Sequence, residues 1–165
     1  MPVRTTEEAQ TLIRNWITDR GFFDKESKII EADPAPKGFL FQFYGKAPTT
    51  IPYNIIQPDL FNRTILILAN VRITQPRIDS LKSMKKEDRD DFLWNLQKDI
   101  MFAPPTFTFD SSYEKTGIPE GIQFTKEISY DELTEGKLAE SVDYVCRCVL
   151  WVIWAFQKEF GPSGE

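Results

Sequence analysis

The chain has 165 residues, of which 41% are hydrophobic and 13% aromatic, and its 25 acidic side chains outnumber 20 basic ones. A chain of this length predicts one domain, residues 1–165, which buries roughly two thirds of its unfolded surface and folds without disulfides or metals. The net charge of −5 argues against nucleic acids and anionic membranes as partners, because their phosphates would be repelled.

The N-terminal sequence and the cysteines bear on the compartment. The first residues, MPVRTTEEAQ, lack the order of charged, apolar and small residues that marks a secretory signal, and no apolar run is long enough to span a membrane. We therefore expect a cytoplasmic protein without a membrane span. Cys146 and Cys148 lie two residues apart in a predicted helix, so their side chains point in well-separated directions. We expect two reduced thiols that pack as small apolar side chains.

The first predicted element is a helix that begins at Thr5. Thr5 and Glu8 fit the capping-box pattern, and the apolar residues that follow recur at helical spacing. Gly21 is expected to end this helix, because glycine adopts the left-handed conformation without strain.

Three strand candidates follow, at residues 28–32, 38–44 and about 53–73, and the last is broken near Pro58 and Asp59. The connections between them are short, which favours antiparallel pairing, since a parallel pair needs a crossover of about a dozen residues or more.

Two of these runs predict which strand faces are buried. In GFLFQFY, Phe39, Phe41 and Phe43 alternate with other residues, so we expect three rings on one face, turned toward the core. In TILILANVRI, residues 64–73, both alternating sets begin apolar, which predicts a central strand that is covered on both faces.

From Gln75 to about Phe102 the apolar residues recur at helical spacing, in two pieces that Ser83 is expected to separate. The segments FTF at 107–109 and IQF at 122–124 then predict a hairpin joined by a polar loop. Taken together, the elements predict an α+β fold with an antiparallel sheet of about five strands, in the order α-β-β-β-α-β-β-α.

The last predicted helix runs from about Thr134 to Phe160 and is followed by glycine and proline. Its segment VCRCVLWVIWAF, residues 145–156, is apolar around nearly the whole circumference apart from Arg147, and we place Trp151 and Trp154 on different sides. One sheet cannot cover both sides, so this helix is either sandwiched inside its own domain or part of an interface. Self-association through this helix is the leading specific hypothesis. The predicted contact residues are four apolar side chains: Val145, Trp151, Val152 and Trp154.

These residues predict a symmetric homodimer that buries more than roughly 1,000 Å² in total. The expected contact is the last helix or the sheet face beside it.

The sequence offers no recognisable catalytic machinery. It has no histidine, which removes the commonest general base and metal ligand, and its glycines fit no phosphate-binding loop. Asp88, Asp90 and Asp91 form the densest acidic cluster, but acids in a first helical turn are usually solvated there and stabilised by the helix dipole. We therefore predict no catalytic residue, no cofactor and no metal site.

The order of elements, the acidity and the size resemble the type III secretion chaperone-like fold. Residues 84–100, MKKEDRDDFLWNLQKDI, resemble the middle helix of an uncharacterised archaeal protein family with that fold. The resemblance implies an α+β fold and dimerisation, but it supplies no catalytic residue and identifies no secreted client.

The sequence therefore favours a non-enzymatic, homodimeric interaction module of the chaperone-like type, which offers sheet edges or a groove to a protein or peptide partner. Two alternatives remain open. One is a small-ligand-binding protein or an enzyme with carboxylate, tyrosine or lysine chemistry, in which Tyr44, Tyr53 and Asp59 meet at a strand end. The other is a subunit of a larger complex whose apolar helix docks on a different protein.

Overall fold

The computed structural model describes residues 3–19, 30–46 and 51–162, which form an α+β fold. Over these residues, five α-helices accompany one sheet of six strands. A single 3-10 turn, Tyr130–Glu132, precedes the last helix. In chain order the elements are α1 (Thr6–Asp19), β1 (Ile30–Glu31), β2 (Phe39–Lys46), β3 (Pro52–Pro58), β4 (Thr64–Arg72), α2 (Gln75–Ser83), α3 (Lys86–Met101), β5 (Thr106–Phe109), α4 (Ser111–Thr116), β6 (Gly121–Ser129) and α5 (Glu135–Phe160).

The strands pair in the order β1-β2-β3-β4-β6-β5, and every neighbouring pair is antiparallel. The predicted hairpin is confirmed, since Phe107 lies opposite Phe124 and Phe109 lies opposite Ile122. β6 lies between β4 and β5, which leaves β4 in the interior of the sheet. The prediction of a central strand at 64–73 is therefore also confirmed.

The sheet has one strand more than the sequence predicted. The run at 53–73 forms two strands, β3 and β4, and the predicted break near Pro58 separates them. Pro58 has no N–H to donate, and Arg63 adopts a positive φ of 64° just before β4 begins. The chain therefore reverses between these residues instead of continuing as one long strand.

Two other predicted boundaries are confirmed, and the structure contains one additional element. The Glu8 N–H donates to Thr5 Oγ1 at 3.1 Å, and the Thr5 N–H donates to Glu8 Oε2 at 3.3 Å, which forms the predicted capping box. α2 ends at Ser83, where the break was expected. The loop at 110–121 contains the extra helix α4, which ends at Gly117 with φ 72°. Gly21 and the first two residues of the strand predicted at 28–32 lie outside the described residues.

The core lies between the helices and one face of the sheet, here called the inner face. Phe41 and Phe43 of β2 are buried there, and α5 packs mainly over β4 and β6. Phe39 is half-buried, because the pairing of β2 with β3 shifts register between Phe39 and Phe41. Two of the three predicted core rings are therefore in the core.

The opposite face of the sheet, here called the outer face, is less covered than the sequence predicted. Leu66 and Leu68 of β4 are half-buried there and do not belong to the core beneath the helices. Ile56 of β3 lies beside Leu66 and is buried, but it also lies outside that core.

A buried polar network ties the N-terminal helix to the sheet. The Gln57 side chain is fully buried, and its Nε2 donates to the Phe61 carbonyl oxygen at 2.8 Å. The Tyr130 hydroxyl then donates to Gln57 Oε1 at 2.8 Å and lies 3.1 Å from the Thr6 hydroxyl. Burial raises the pKa of Tyr130, partly offset by the hydrogen bond from Thr6 and by the charge of Arg63. The network satisfies polar groups that would otherwise be costly to bury.

Candidate functional site

The helical side of the molecule carries a long groove between α3 and α5. Two cavities of about 600 and 660 Å³ lie along it, and both are lined by Asp99, Trp151 and Trp154. We call this surface, with both cavities, the tryptophan groove. Trp151 is 43% exposed and Trp154 is 57% exposed, so two large rings are open to solvent on a face that contains concave space.

Packing beneath the groove fixes the two helices against each other. The Phe92 ring of α3 meets the ring of Phe156 edge to face at a centroid distance of 5.1 Å, and that of Phe160 at 5.5 Å. Such pairs stabilise a helix contact beyond the burial of apolar area. The groove therefore has a floor that belongs to the hydrophobic core.

The placement of the tryptophans on different sides of the helix was wrong. Trp151 and Trp154 are three residues apart, which sets their side chains about 60° apart around a helix. They line the same groove. The three-residue spacing by itself predicts that both side chains lie on one side of the helix.

Two of the four predicted contact residues lie in the core and not in the groove. Val145 and Val152 are fully buried in the protein's own core, where α5 packs on the sheet. Their inclusion in an interface was therefore wrong, because a side chain in the core cannot contact a partner. The roles of Trp151 and Trp154 at an interface stay predictions.

The groove is acidic. Among the described residues, five carboxylates and two cationic side chains line it. The carboxylates are Asp88, Asp91, Asp99, Asp143 and Glu159. Arg147 is one of the cations, and its Nε donates to Asp143 at 2.9 Å. The sequence treated Asp88 and Asp91 as solvated acids of a first helical turn, and their position beside the tryptophans follows from the packing of α3 on α5.

Both cysteines of α5 are buried, and Cys148 also lines the tryptophan groove. Both thiols are free, and burial raises the pKa of Cys146 to about 12 and that of Cys148 to about 11. A thiol with a raised pKa is a poor nucleophile near neutral pH. No group of three or more side chains suited to a metal ion occurs within residues 3–19, 30–46 and 51–162.

The residues of the predicted small-ligand site do not converge. Tyr44 is 44% exposed on the outer face, whereas Tyr53 is buried on the inner face opposite Gly45. Asp59 follows the far end of β3, about 20 Å from Tyr53 at the rise of a strand. The sequence placed these three side chains at one strand end, and that placement was wrong.

A second exposed apolar surface lies on the outer face, at the β1–β2 end of the sheet. Leu40 and Tyr44 alternate with the buried rings of Phe41 and Phe43, and Ile30 pairs with Tyr44. Ile30 is 61% exposed and Leu40 is 47% exposed. This surface and the tryptophan groove lie on opposite sides of the sheet.

Comparison with models of protein families identifies the family of the chain. The model of a family described as uncharacterised conserved proteins, DUF2299, matches residues 9–156. The chain belongs to the DUF2299 family. That match takes in α3, all but the last four residues of α5, and every strand of the sheet.

A solved structure shares the fold. The crystal structure of an uncharacterized protein from Methanothermobacter thermautotrophicus is similar over 93% of this chain and 99% of that one, with a TM-score of 0.80 and 24% identity. A chain of the ExsC–ExsE complex is similar at a TM-score of 0.43 and 10% identity, over 79% of this chain and 82% of that one.

No curated protein matches the chain significantly. Within the described residues, no helix combines the length and apolar character needed to cross a bilayer.

Proposed function

We propose that this protein is a non-enzymatic interaction module whose tryptophan groove binds a segment of another protein. The observation that carries the proposal is the pair of exposed rings, Trp151 and Trp154, on one face of α5 beside concave space. Tryptophan is strongly enriched among residues that dominate binding energy, particularly where a ring lies in a pocket. Exposed apolar patches of this kind commonly mark binding sites.

The form of the groove also favours a protein partner over a small metabolite. The two cavities are open toward solvent along α3 and α5 and together span most of the length of α3. Small-molecule sites enclose most of the ligand and converge a few polar groups on it. An elongated surface with aromatic anchors suits a peptide segment instead.

Replacement of Trp151 by alanine is expected to weaken peptide binding at least about tenfold, because truncation of an aromatic residue that dominates an interface commonly costs about 2 kcal/mol or more. The ligands to test come from a random peptide display selected on the intact protein. Affinities of the enriched peptides are then measured by fluorescence anisotropy for the parent, Trp151→Ala and Trp154→Ala.

Trp94→Ala is the matched control, since Trp94 is 59% exposed on α3 but does not line the groove. Loss of affinity in the two groove variants, with Trp94→Ala unchanged, supports the proposal. A selection that enriches no peptide whose binding depends on Trp151 or Trp154 contradicts it.

Self-association is a second proposal, and the outer face supports it. Ile30, Leu40 and Tyr44 form an exposed apolar patch there, whereas the acidic groove would face its own charge across a two-fold axis. A stable dimer buries about 800 Å² on each protomer. We therefore place the predicted dimer contact on the sheet side rather than on Trp151 and Trp154.

A Tyr44→Lys variant is expected to sediment as a monomer under conditions in which the parent is a dimer, because two lysines would be brought together at the symmetric contact. Sedimentation velocity over a range of micromolar concentrations measures this. Trp154→Ala serves as the control and should dimerise like the parent. A monomeric mass for the parent throughout that range refutes self-association and leaves the groove proposal intact.

A further inference from the structure

We infer that the occupant of the tryptophan groove is a cationic amphipathic helix supplied by another protein. This inference rests on the proposed function of the groove and adds the conformation and the charge of the ligand. Three properties of the groove carry it: the helices that form its walls, the acids at its rim, and the charges of this chain's own helices.

The walls favour a helical ligand over an extended one. Both walls are α-helices, α3 and α5, whose backbone N–H and C=O groups are paired within each helix. An extended peptide would leave its own backbone groups without partners along the groove, and unpaired groups are costly to bury. A helix pairs these groups internally and presents side chains at i, i+3 or i+4, and i+7 to a hydrophobic groove.

The dimensions suit one helix of moderate length. α5 lines the groove from Asp143 to Glu159, which spans about 24 Å at the rise of an α-helix. A ligand helix of about 16 residues covers this distance. Trp151 and Trp154 lie within the span and provide aromatic contact near the middle of the bound helix.

The carboxylates that line the groove favour a positively charged ligand. Five carboxylates line the groove against two cations, and the guanidinium of Arg147 is already paired with Asp143. Asp88 and Asp91 lie on the α3 side, with Glu159 on the α5 side. Lysines or arginines that flank an apolar stripe would therefore meet carboxylates along both walls, and such complementarity raises association rates and suppresses wrong partners.

The described helices of this chain do not match such a ligand. Among them, α2 alone carries a net positive charge, and its Arg77, Ile78 and Leu81 are buried in the fold. A second copy would bring acidic rims together. The ligand helix is therefore expected to come from a different protein.

The test uses three labelled peptides of about 16 residues on the intact protein. The first has leucines at i, i+3, i+4 and i+7 flanked by lysines, the second has glutamates in place of the lysines, and the third has the first composition in an order without an apolar stripe. We expect the first peptide to bind at least about tenfold more tightly than either control, with an affinity that falls as salt is added.

Variants assign the binding to the groove. Asp91→Asn combined with Asp99→Asn is expected to weaken binding of the lysine peptide several-fold, while Glu87→Gln, on the same helix but outside the groove, leaves it unchanged. Trp151→Ala is expected to weaken it at least about tenfold. Circular dichroism checks that each variant remains folded.

Two results overturn the inference. Equal binding of the lysine and glutamate peptides removes the charge requirement, and equal binding of the ordered and disordered lysine peptides removes the helix requirement. The proposed function is tested separately, because the display selection accepts peptides of any charge or conformation. Enriched peptides that need Trp151 but are neutral or extended would refute the cationic helix and leave the interaction module standing.

Discussion

Native Cys146 and Cys148 are expected to react with a disulfide reagent such as DTNB at least about a hundredfold more slowly at pH 8 than the same cysteines in the unfolded chain. Burial raises the pKa of Cys146 from 9.0 to about 12 and that of Cys148 to about 11. The reactive thiolate is correspondingly scarce in the native state, and both cysteines are buried, which limits access of the reagent. The absorbance of the released thiolate measures both rates.

A variant with Ser111→Cys provides the control, because Ser111 is exposed at the start of α4 and its thiol should react at a rate close to that in the unfolded chain. Rapid reaction of the two native thiols would show that α5 separates readily from the elements that pack against it. Their role as inert packing groups would then be wrong.

The same pKa shifts set the sign of the pH dependence. A thiol whose pKa is raised by folding is protonated in both states well below its unfolded pKa of 9.0, so its contribution to stability is constant there. As the pH rises through 9.0 the unfolded thiols ionise first, and the free energy of unfolding falls as the pH approaches 11 to 12. Ionisation of the thiols therefore does not lower the free energy of unfolding at acidic pH.

Replacement of Gly45 by alanine is expected to lower the free energy of unfolding by about 2 to 3 kcal/mol, because the added methyl group overpacks the core. A Cβ built on Gly45 would lie 2.5 Å from Cζ of Tyr53 and closer still to its hydroxyl oxygen. Tyr53 is 1% exposed, so its ring has little room to move away. Denaturant unfolding followed by circular dichroism measures the change.

Gly136→Ala is the matched control. Gly136 lies in the first turn of α5, and apart from the adjacent residues and backbone of its own helix no atom lies within 4 Å of the position that its Cβ would take. Alanine in a helix is favoured over glycine, so this variant is expected to be more stable by up to about 1 kcal/mol. A Gly45→Ala protein as stable as the parent would show that the Tyr53 ring is displaced easily.

Much of the fold follows from local signals in the sequence. The capping box at Thr5 and Glu8, the break near Ser83 and the hairpin at 107–109 and 122–124 were all predictable, because each depends on residues that are close in sequence. The break at Pro58 was recognised, but the run around it was still counted as one strand. Proline and turn residues mark where a strand is interrupted, and local pattern does not show whether the chain then pairs with itself.

The candidate site was predicted in part. The unusual apolarity of α5 indicated a surface with a function, and Trp151 and Trp154 lie on it. Val145 and Val152 could not be separated from them by composition, because which apolar side of a helix meets the sheet depends on how the helix packs. The sequence also did not reveal that carboxylates line the groove. Asp91 on α3 and Glu159 on α5 line the same cavity only because the two helices pack against each other.

The sequence by itself determined the α+β class, most element boundaries, the central strand and the absence of histidine chemistry, because periodicity, capping and composition are local properties. The tertiary structure alone decided that Tyr53 packs against Gly45, that Gln57 accepts a hydrogen bond from Tyr130, and that two tryptophans open onto an acidic groove. Each of these depends on atoms that are far apart along the chain and adjacent in space, and residue order alone does not fix such packing.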